Sequence, residues 1–243
     1  MARMSDTQKI QWTHLAVEGL AIIASILLAF AIDTWWDNRT GRIEERRILT
    51  ALKAEFLSNA ESIPVHIEMH LDSVRYTRAL LNAMMAAEPG STLQYPAARF
   101  GRVLGHTSTD PQSGALEAIL QSGELRFIRN PAIRERLAAW PTLVVDATEN
   151  EDLLRQIWDP KLLETLAKVA DLSILEDVSI ECWEDPTQEP CAALEINLPR
   201  NTEVMAYLAT TAGWAEEGAR ELGILVEEAK ETVRLIDAEL AAR

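Results

Sequence analysis

The stretch Leu15–Ile32, LAVEGLAIIASILLAFAI, decides the fold: eighteen residues in which Glu18 is the single ionisable group. At about 1.5 Å per residue a helix over it is roughly 27 Å long, close to the thickness of a bilayer core. Trp12 precedes it and Trp35 and Trp36 follow it, where amphipathic indoles favour the membrane–water interface. The reading is a transmembrane helix, with membrane lipid as its first partner. A cleaved signal peptide is the rival. Arg3 and Lys9 precede the apolar run, and Ala29-Phe30-Ala31 matches a small-x-small cleavage pattern. Against cleavage, no Pro or Gly breaks the helix directly after Ala31.

An ionisable group in a span is costly and flags function by default, although Glu18 lies only about one turn inside and can snorkel to the interface. At about 100° per residue Glu18, Ser25, Ala29 and Trp36 share one stripe with Ala21 alongside. Ala21-x3-Ser25-x3-Ala29 is a small-xxx-small ridge, which lets a second helix approach closely. These residues point to a span that packs against a protein partner or against a copy of itself.

Orientation is contested by two signals. Arg3 and Lys9 precede the span, whereas Arg39, Arg42, Arg46, Arg47 and Lys53 follow it, which favours a cytoplasmic C-terminal side. Long domains, however, translocate largely regardless of charge. Cys182 and Cys191 bracket WEDPTQEP, a loop of a size that closes readily as a disulfide, and disulfides persist in oxidising compartments. Two free buried thiols are the alternative. The expectation is an inner-membrane, single-pass protein with its C-terminal domain in the periplasm.

Charge is distributed unevenly along the 243 residues. Residues 1–47 hold six basic and six acidic side chains, and 48–143 hold nine of each. Residues 144–197 hold fourteen acids against three bases, and 198–243 nine against five, so these two stretches supply the whole net charge of −15. No stretch is net basic, which disfavours counterion-releasing nucleic-acid binding. With 48% apolar residues the chain is not disordered. The acidic stretch reads as a solvated face, with a cation or basic-partner site as the sharper alternative.

Beyond Trp36 the pattern stays helical. Ile48, Leu52, Phe56, Asn59, Ile63, Ile67, His70, Val74, Thr77, Leu81 and Met84 advance in alternating steps of three and four, the seam of a long packed helix. This helix, 43–87, is expected to continue the span through a soft joint at Asn38–Gly41, with Pro64 kinking or dividing it. Residues 88–110 read as a loop with one short helical turn. Asp110-Pro111, Asn130-Pro131 and Asp159-Pro160 read as helix starts, the first opening a helix over 111–121 that ends at Gly123. Pro141 is expected to kink the second helix. Residues 177–200 read as an irregular excursion bracketed by the Cys pair, with short strands at VSIEC and ALEI. Asn201 or Thr202 caps a last helix to about Ala241, whose apolar stripe is Leu208, Leu222, Leu225, Ala229, Val233, Ile236 and Leu240. The fold class is all-α: an N-terminal transmembrane helix continuing into an antiparallel helical bundle, with no convincing sheet. The organisation reads as a tail, 1–14, a span, 15–36, a juxtamembrane stalk, 37–47, and a bundle, 48–243.

The motifs of catalysis are missing from the sequence. There is no G-x-S-x-G elbow, phosphate-cradling G-x-x-x-x-G-K, C-x-x-C or H-E-x-x-H. Of the four histidines, His66 and His70 stand at i, i+4, which places two imidazoles on one helix face as a metal site needs. No third ligand is identifiable, so structural histidines beside the seam are the preferred reading, and neither metal nor cofactor is expected. Trp140, Trp158, Trp183 and Trp214 read as core or edge residues.

Two segments carry a resemblance. The span's end, Ala29-Phe30-Ala31-Ile32-Asp33-Thr34-Trp35-Trp36-Asp37-Asn38-Arg39, followed by Glu44-Glu45-Arg46-Arg47, resembles a group of bacterial single-span membrane proteins of unknown function. Residues Ala115–Asn130, ALEAILQSGELRFIRN, resemble that group's second hallmark, a leucine followed by a Ser-Gly-x-Leu-x-x-Ile-x-Asn run before a helix. The resemblance covers about fifty residues directly and implies a membrane-anchored helical domain without a transferable catalytic residue; the Cys pair and the acidic stretch lie outside it. Physically, Gly123 suits a left-handed helix end, Leu125 and Ile128 bury, and Asn130 caps the next helix. The functional expectation is a non-catalytic membrane-anchored interaction module or accessory subunit of a larger membrane assembly. The alternative is a periplasmic ligand-sensing bundle, and an enzyme is disfavoured.

Overall fold

The computed structural model describes residues 12–105, 107–157 and 161–242, with side chains from Ala16 onward except that of Ile157. The interfacial placement of Trp12, the core placement of Trp158 and the helix start at Asp159-Pro160 lie outside the described residues, as do Arg3, Lys9, the His14 side chain and His106. The chain forms two compact units, residues 1–48 and 49–243.

Helix α1 spans Trp12–Ala86. Its first unit is a lone helix whose large apolar side chains face outward: Val17, Leu20, Phe30 and Trp36 are each 61–66% exposed. The expected soft joint at Asn38–Gly41 does not exist, because α1 runs through it without a break. A helix interior tolerates one glycine at a cost of about 1 kcal/mol, and the flanking Trp, Arg and Glu residues are adequate helix formers.

In the second unit α1 presents the expected seam. Leu52, Phe56, Asn59, Ile63, His70, Val74, Thr77 and Met84 are buried. Pro64 lies inside the helix and does not divide it. After α1 the chain forms strand β1, Thr92–Pro96, then helices α2, Ala97–Leu104, and α3, Gly114–Ser122. A 3-10 turn at Glu124–Phe127 leads to α4, Pro131–Ile157, which contains Pro141. Helices α5, Leu163–Val169, and α6, Ile180–Glu184, precede strand β2, Glu195–Pro199, and the last helix α7, Thr202–Ala241.

Side-chain pairs show how the three long helices run. Lys53 pairs with Asp237 at 2.6 Å and Arg78 with Glu216 at 2.5 Å, so α7 is antiparallel to α1. Asn130 meets Glu239, Arg136 meets Glu228 and Asn150 meets Glu221, so α7 is antiparallel to α4 as well. Phe56 packs against Trp140 with the rings tilted by 53° and their centroids 4.5 Å apart, and His70 meets Glu151, which sets α1 and α4 parallel. The exposed ion pairs among them, Lys53–Asp237 and Arg78–Glu216, contribute little energy. The bundle is held by its buried stripes, of which Leu208, Leu222, Leu225, Ala229 and Ile236 on α7 are part.

Several helix ends match the sequence chemistry. Asn130 Oδ1 accepts from the Ala132 N–H at the start of α4. Asn201 Oδ1 accepts from the Glu203 and Val204 N–H groups at the start of α7. Gly123 ends α3 in the left-handed conformation at φ 71°, a position that strains any residue with a Cβ.

Other expectations are corrected. Residues 88–110 are not a loop with one turn: they hold β1 and the eight-residue α2. β1 pairs with β2 as an antiparallel two-stranded sheet, Tyr95 opposite Ile196 and Leu93 opposite Leu198. The reading of no sheet therefore fails, because β1's partner lies about a hundred residues away and local pattern cannot report it. VSIEC is no strand: α6 covers its last three residues. The strand expected at ALEI instead begins at Glu195. The sheet joins Leu80, Met84, Phe100, Leu166, Val204 and Leu208 in one core cluster at the end of the bundle.

Candidate functional site

Several buried polar side chains of the second unit gather around one segment, the strap of residues 107–117 between α2 and the body of α3. Glu55, Asn59 and His66 of α1 and Glu151 of α4 hold it. Glu55, 8% exposed, accepts from the Ala115 N–H at 2.5 Å and the Leu116 N–H at 3.1 Å. A carboxylate there satisfies orphan donors of α3's first turn and complements its dipole. Asn59 makes a two-way clamp on Gln112: its Nδ2 donates to the carbonyl at 2.8 Å, and its Oδ1 accepts the N–H at 2.7 Å. This clamp explains why the helix expected over 111–121 begins only at Gly114. Gln112's backbone groups bond to Asn59 rather than to a helical ladder, and Glu55 from another helix caps α3 in place of Asp110.

The two histidines belong to the same seam but do not converge. His66 Nδ1 lies 2.6 Å from Thr107 Oγ1, while His70 Nε2 lies 3.0 Å from Glu151 Oε1. Each imidazole is engaged by its own partner, which separates their ligating nitrogens. Among the described residues no group of three His, Cys, Asp or Glu side chains is placed to hold a metal ion.

Glu151 is the centre of the strap's attachment to α4. Its Oε2 accepts the Thr109 N–H at 2.7 Å, and its Oε1 accepts the Thr109 hydroxyl at 2.7 Å besides contacting His70. Glu151 is 3% exposed and His70 2%. Burial alone would raise the Glu151 carboxyl, but the hydrogen bonds from His70 and from Thr109's N–H and hydroxyl outweigh it and hold the group below its ordinary value of 4.5. Beside this pair His70, Ser73, Thr211, Leu154 and Ala215 line a cavity of about 10 Å³, the size of a single water.

The acidic stretch 144–197 is a solvated face with one exception. Every described acid in it is exposed except Glu151, the one that fastens the strap. Cys182 and Cys191 form a disulfide with Cα atoms 5.3 Å apart, packed with Ala97, Ala98 and Val178. The irregular excursion is thereby docked on α2. Trp183 lies so close to Gly101 that a Cβ there would come within 2.1 Å of the ring, so only glycine admits this contact. Trp140 is buried, and Trp183 and Trp214 are half-buried.

In the first unit Ala21, Ser25 and Ala29 lie exposed on α1, and the Ser25 hydroxyl donates to the Ala21 carbonyl at 2.8 Å. Glu18 is exposed. Trp35 and Trp36 are 58% and 61% exposed.

Sequence reasoning missed Glu55, Asn59, Thr109 and Glu151. A signal for part of the set was present: Asn59, His70 and Thr77 interrupt an apolar stripe, and polar residues on a core seam need buried partners. Glu151 carried no such mark inside an acidic run.

No family model, curated protein or solved structure matches the chain.

Proposed function

We propose that this protein is a non-catalytic, membrane-anchored interaction module, an accessory subunit of a larger bacterial inner-membrane assembly, with its helical domain on the periplasmic side. The outward-facing apolar segment of α1 carries the proposal. Its best window has a mean hydropathy of 2.1 with none of it buried. Nine exposed aliphatic or aromatic residues between Val17 and Ile32, at about −0.3 to −0.6 kcal/mol each, favour insertion by about 3–5 kcal/mol. A charged side chain at the centre of a span costs about 3 kcal/mol, and Glu18, near the end, costs less. Trp35 and Trp36 stand where an interfacial belt would lie. The likeness of both hallmark segments to bacterial single-span proteins supports the same reading.

The buried Cys182–Cys191 disulfide supports the periplasmic side, since cytosolic thiols stay reduced. The buried polar side chains at the strap support a non-catalytic domain, because they are committed to holding backbone and to one another. The test is purification of the full chain from native membranes in mild detergent. The expected result is retention in the membrane through an alkaline wash and co-purification of a protein partner or a second copy. Recovery of a monomer alone refutes the interaction role.

A further inference from the structure

The anchor's outer end has a sidedness that the neutral charge of residues 1–47 conceals. At about 100° per residue on a continuous helix, Trp35, Arg39, Arg42 and Arg46 lie within about 40° of one line along α1. Asp33, Asp37 and Glu44 lie about 160–200° away, on the opposite side of the same helix. Glu44 is paired on that far side with Arg47, at 2.7 Å. The Arg39 guanidinium sits over the Trp35 ring, 5.8 Å from its centroid. In such a cation–π contact a guanidinium keeps N–H groups available to an oxyanion. Trp35, Asn38, Arg39, Arg42 and Ile43 together line a shallow groove.

We propose that this groove is a site for the phosphate headgroup of an anionic phospholipid, with Arg39 and Arg42 as the charged donors, Asn38 as a neutral donor and Trp35 as the floor. The proposal rests on the membrane reading above. Depth supports a lipid source for the phosphate. With the span ending at Trp36, Arg39 stands about 4–5 Å farther along the axis, within a headgroup layer of about 5–7 Å on each side of the hydrocarbon core. Arg42 stands about 9 Å along, and its long side chain, leaning toward the helix N-terminus, reaches back into that layer. Arginine matches phosphate bidentately, whereas a zwitterionic lipid places its own cation beside the phosphate and competes with the two guanidiniums. The far face, with Asp33 and Asp37, repels the same headgroup, so the lipid is held on one side of the helix.

The test is native mass spectrometry of the full chain released from micelles containing equal amounts of phosphatidylglycerol and phosphatidylcholine. The wild type is expected to retain phosphatidylglycerol preferentially. The double variant Arg39→Gln/Arg42→Gln is expected to lose about thirtyfold of that preference, for two arginines at about 1 kcal/mol each near an anionic surface. Asp33→Asn/Asp37→Asn, on the opposite face, is expected to leave the preference intact. A wild type without preference, an unchanged arginine variant, or an equal loss in the aspartate variant overturns the proposal while leaving the anchor standing. Displacement of the lipid by inorganic phosphate, but not by chloride at equal ionic strength, also overturns it by making this a free-anion site. A chain released from membranes by an alkaline wash removes the anchoring reading and this site together.

Discussion

Glu151→Ala cuts the strap from α4 and exposes the energetics of the buried seam. In the native protein Glu151 accepts at 2.7 Å from both the N–H and the hydroxyl of Thr109 and contacts His70 at 3.0 Å. Truncation leaves these three groups in a site where Thr109 is 7% and His70 2% exposed. Each orphaned buried polar group costs about 1–3 kcal/mol, and three are orphaned here. The contributions overlap, so the expected loss is about 3–5 kcal/mol, a large share of a typical domain's stability. Glu151→Gln keeps the volume and one acceptor and should lose less, about 1–2 kcal/mol. Urea unfolding of the full chain in detergent reads the total. Hydrogen exchange at the Thr109 amide reads the strap itself, and exchange there should accelerate before the α7 core opens. The acid dependence has a definite sign. Because Glu151 titrates below its ordinary 4.5 when folded, its stabilisation is complete above about pH 4.5 and is lost as pH falls through the folded value. Glu151→Gln should remove that acid step. A Glu151→Ala protein within about 0.5 kcal/mol of wild type, with Thr109 still protected, refutes the reasoning.

Further perturbations test the remaining contacts. Gly101→Ala puts a Cβ 2.1 Å from the Trp183 ring, and overpacking of this kind should lower stability by about 1–3 kcal/mol, read by denaturation and by a change in tryptophan fluorescence. Cys182→Ser/Cys191→Ser removes a cross-link of sequence separation nine. Loop-closure entropy sets its expected cost at about 2.5–3 kcal/mol, with proteolytic nicking appearing within 177–200. Asn201→Ala deletes the side chain that accepts from Glu203 and Val204 and should cost about 1 kcal/mol, measured by thermal unfolding.

Much of this architecture was written locally. The apolar run Leu15–Ile32, the three-and-four spacing of the α1 seam, the caps at Asn130 and Asn201 and the left-handed stop at Gly123 are encoded within a turn or two of chain. Periodicity and capping report these directly. The Cys pair, nine residues apart, was legible for the same reason. Where elements depend on distant chain, local reading failed. VSIEC has strand composition yet contributes to α6, and β1 forms because Tyr95 and Leu93 meet Ile196 and Leu198 across the sheet.

The candidate site divides along the same line. Asn59 and His70 stood on the seam as polar interruptions, visible but without partners. That Asn59 clamps Gln112, that Glu55 caps a helix sixty residues away, and that Glu151 alone among the described acids of 144–197 is buried followed only from packing α1, α4 and α7 together. The sequence by itself determined the long helices, the caps at Asn130 and Asn201 and the apolar N-terminal segment, because those depend on neighbours along the chain. The tertiary structure decided which polar groups are buried and what they hold. A hydrogen bond between residues far apart in sequence is specified by the geometry that brings them within about 3 Å, and no local pattern carries that distance.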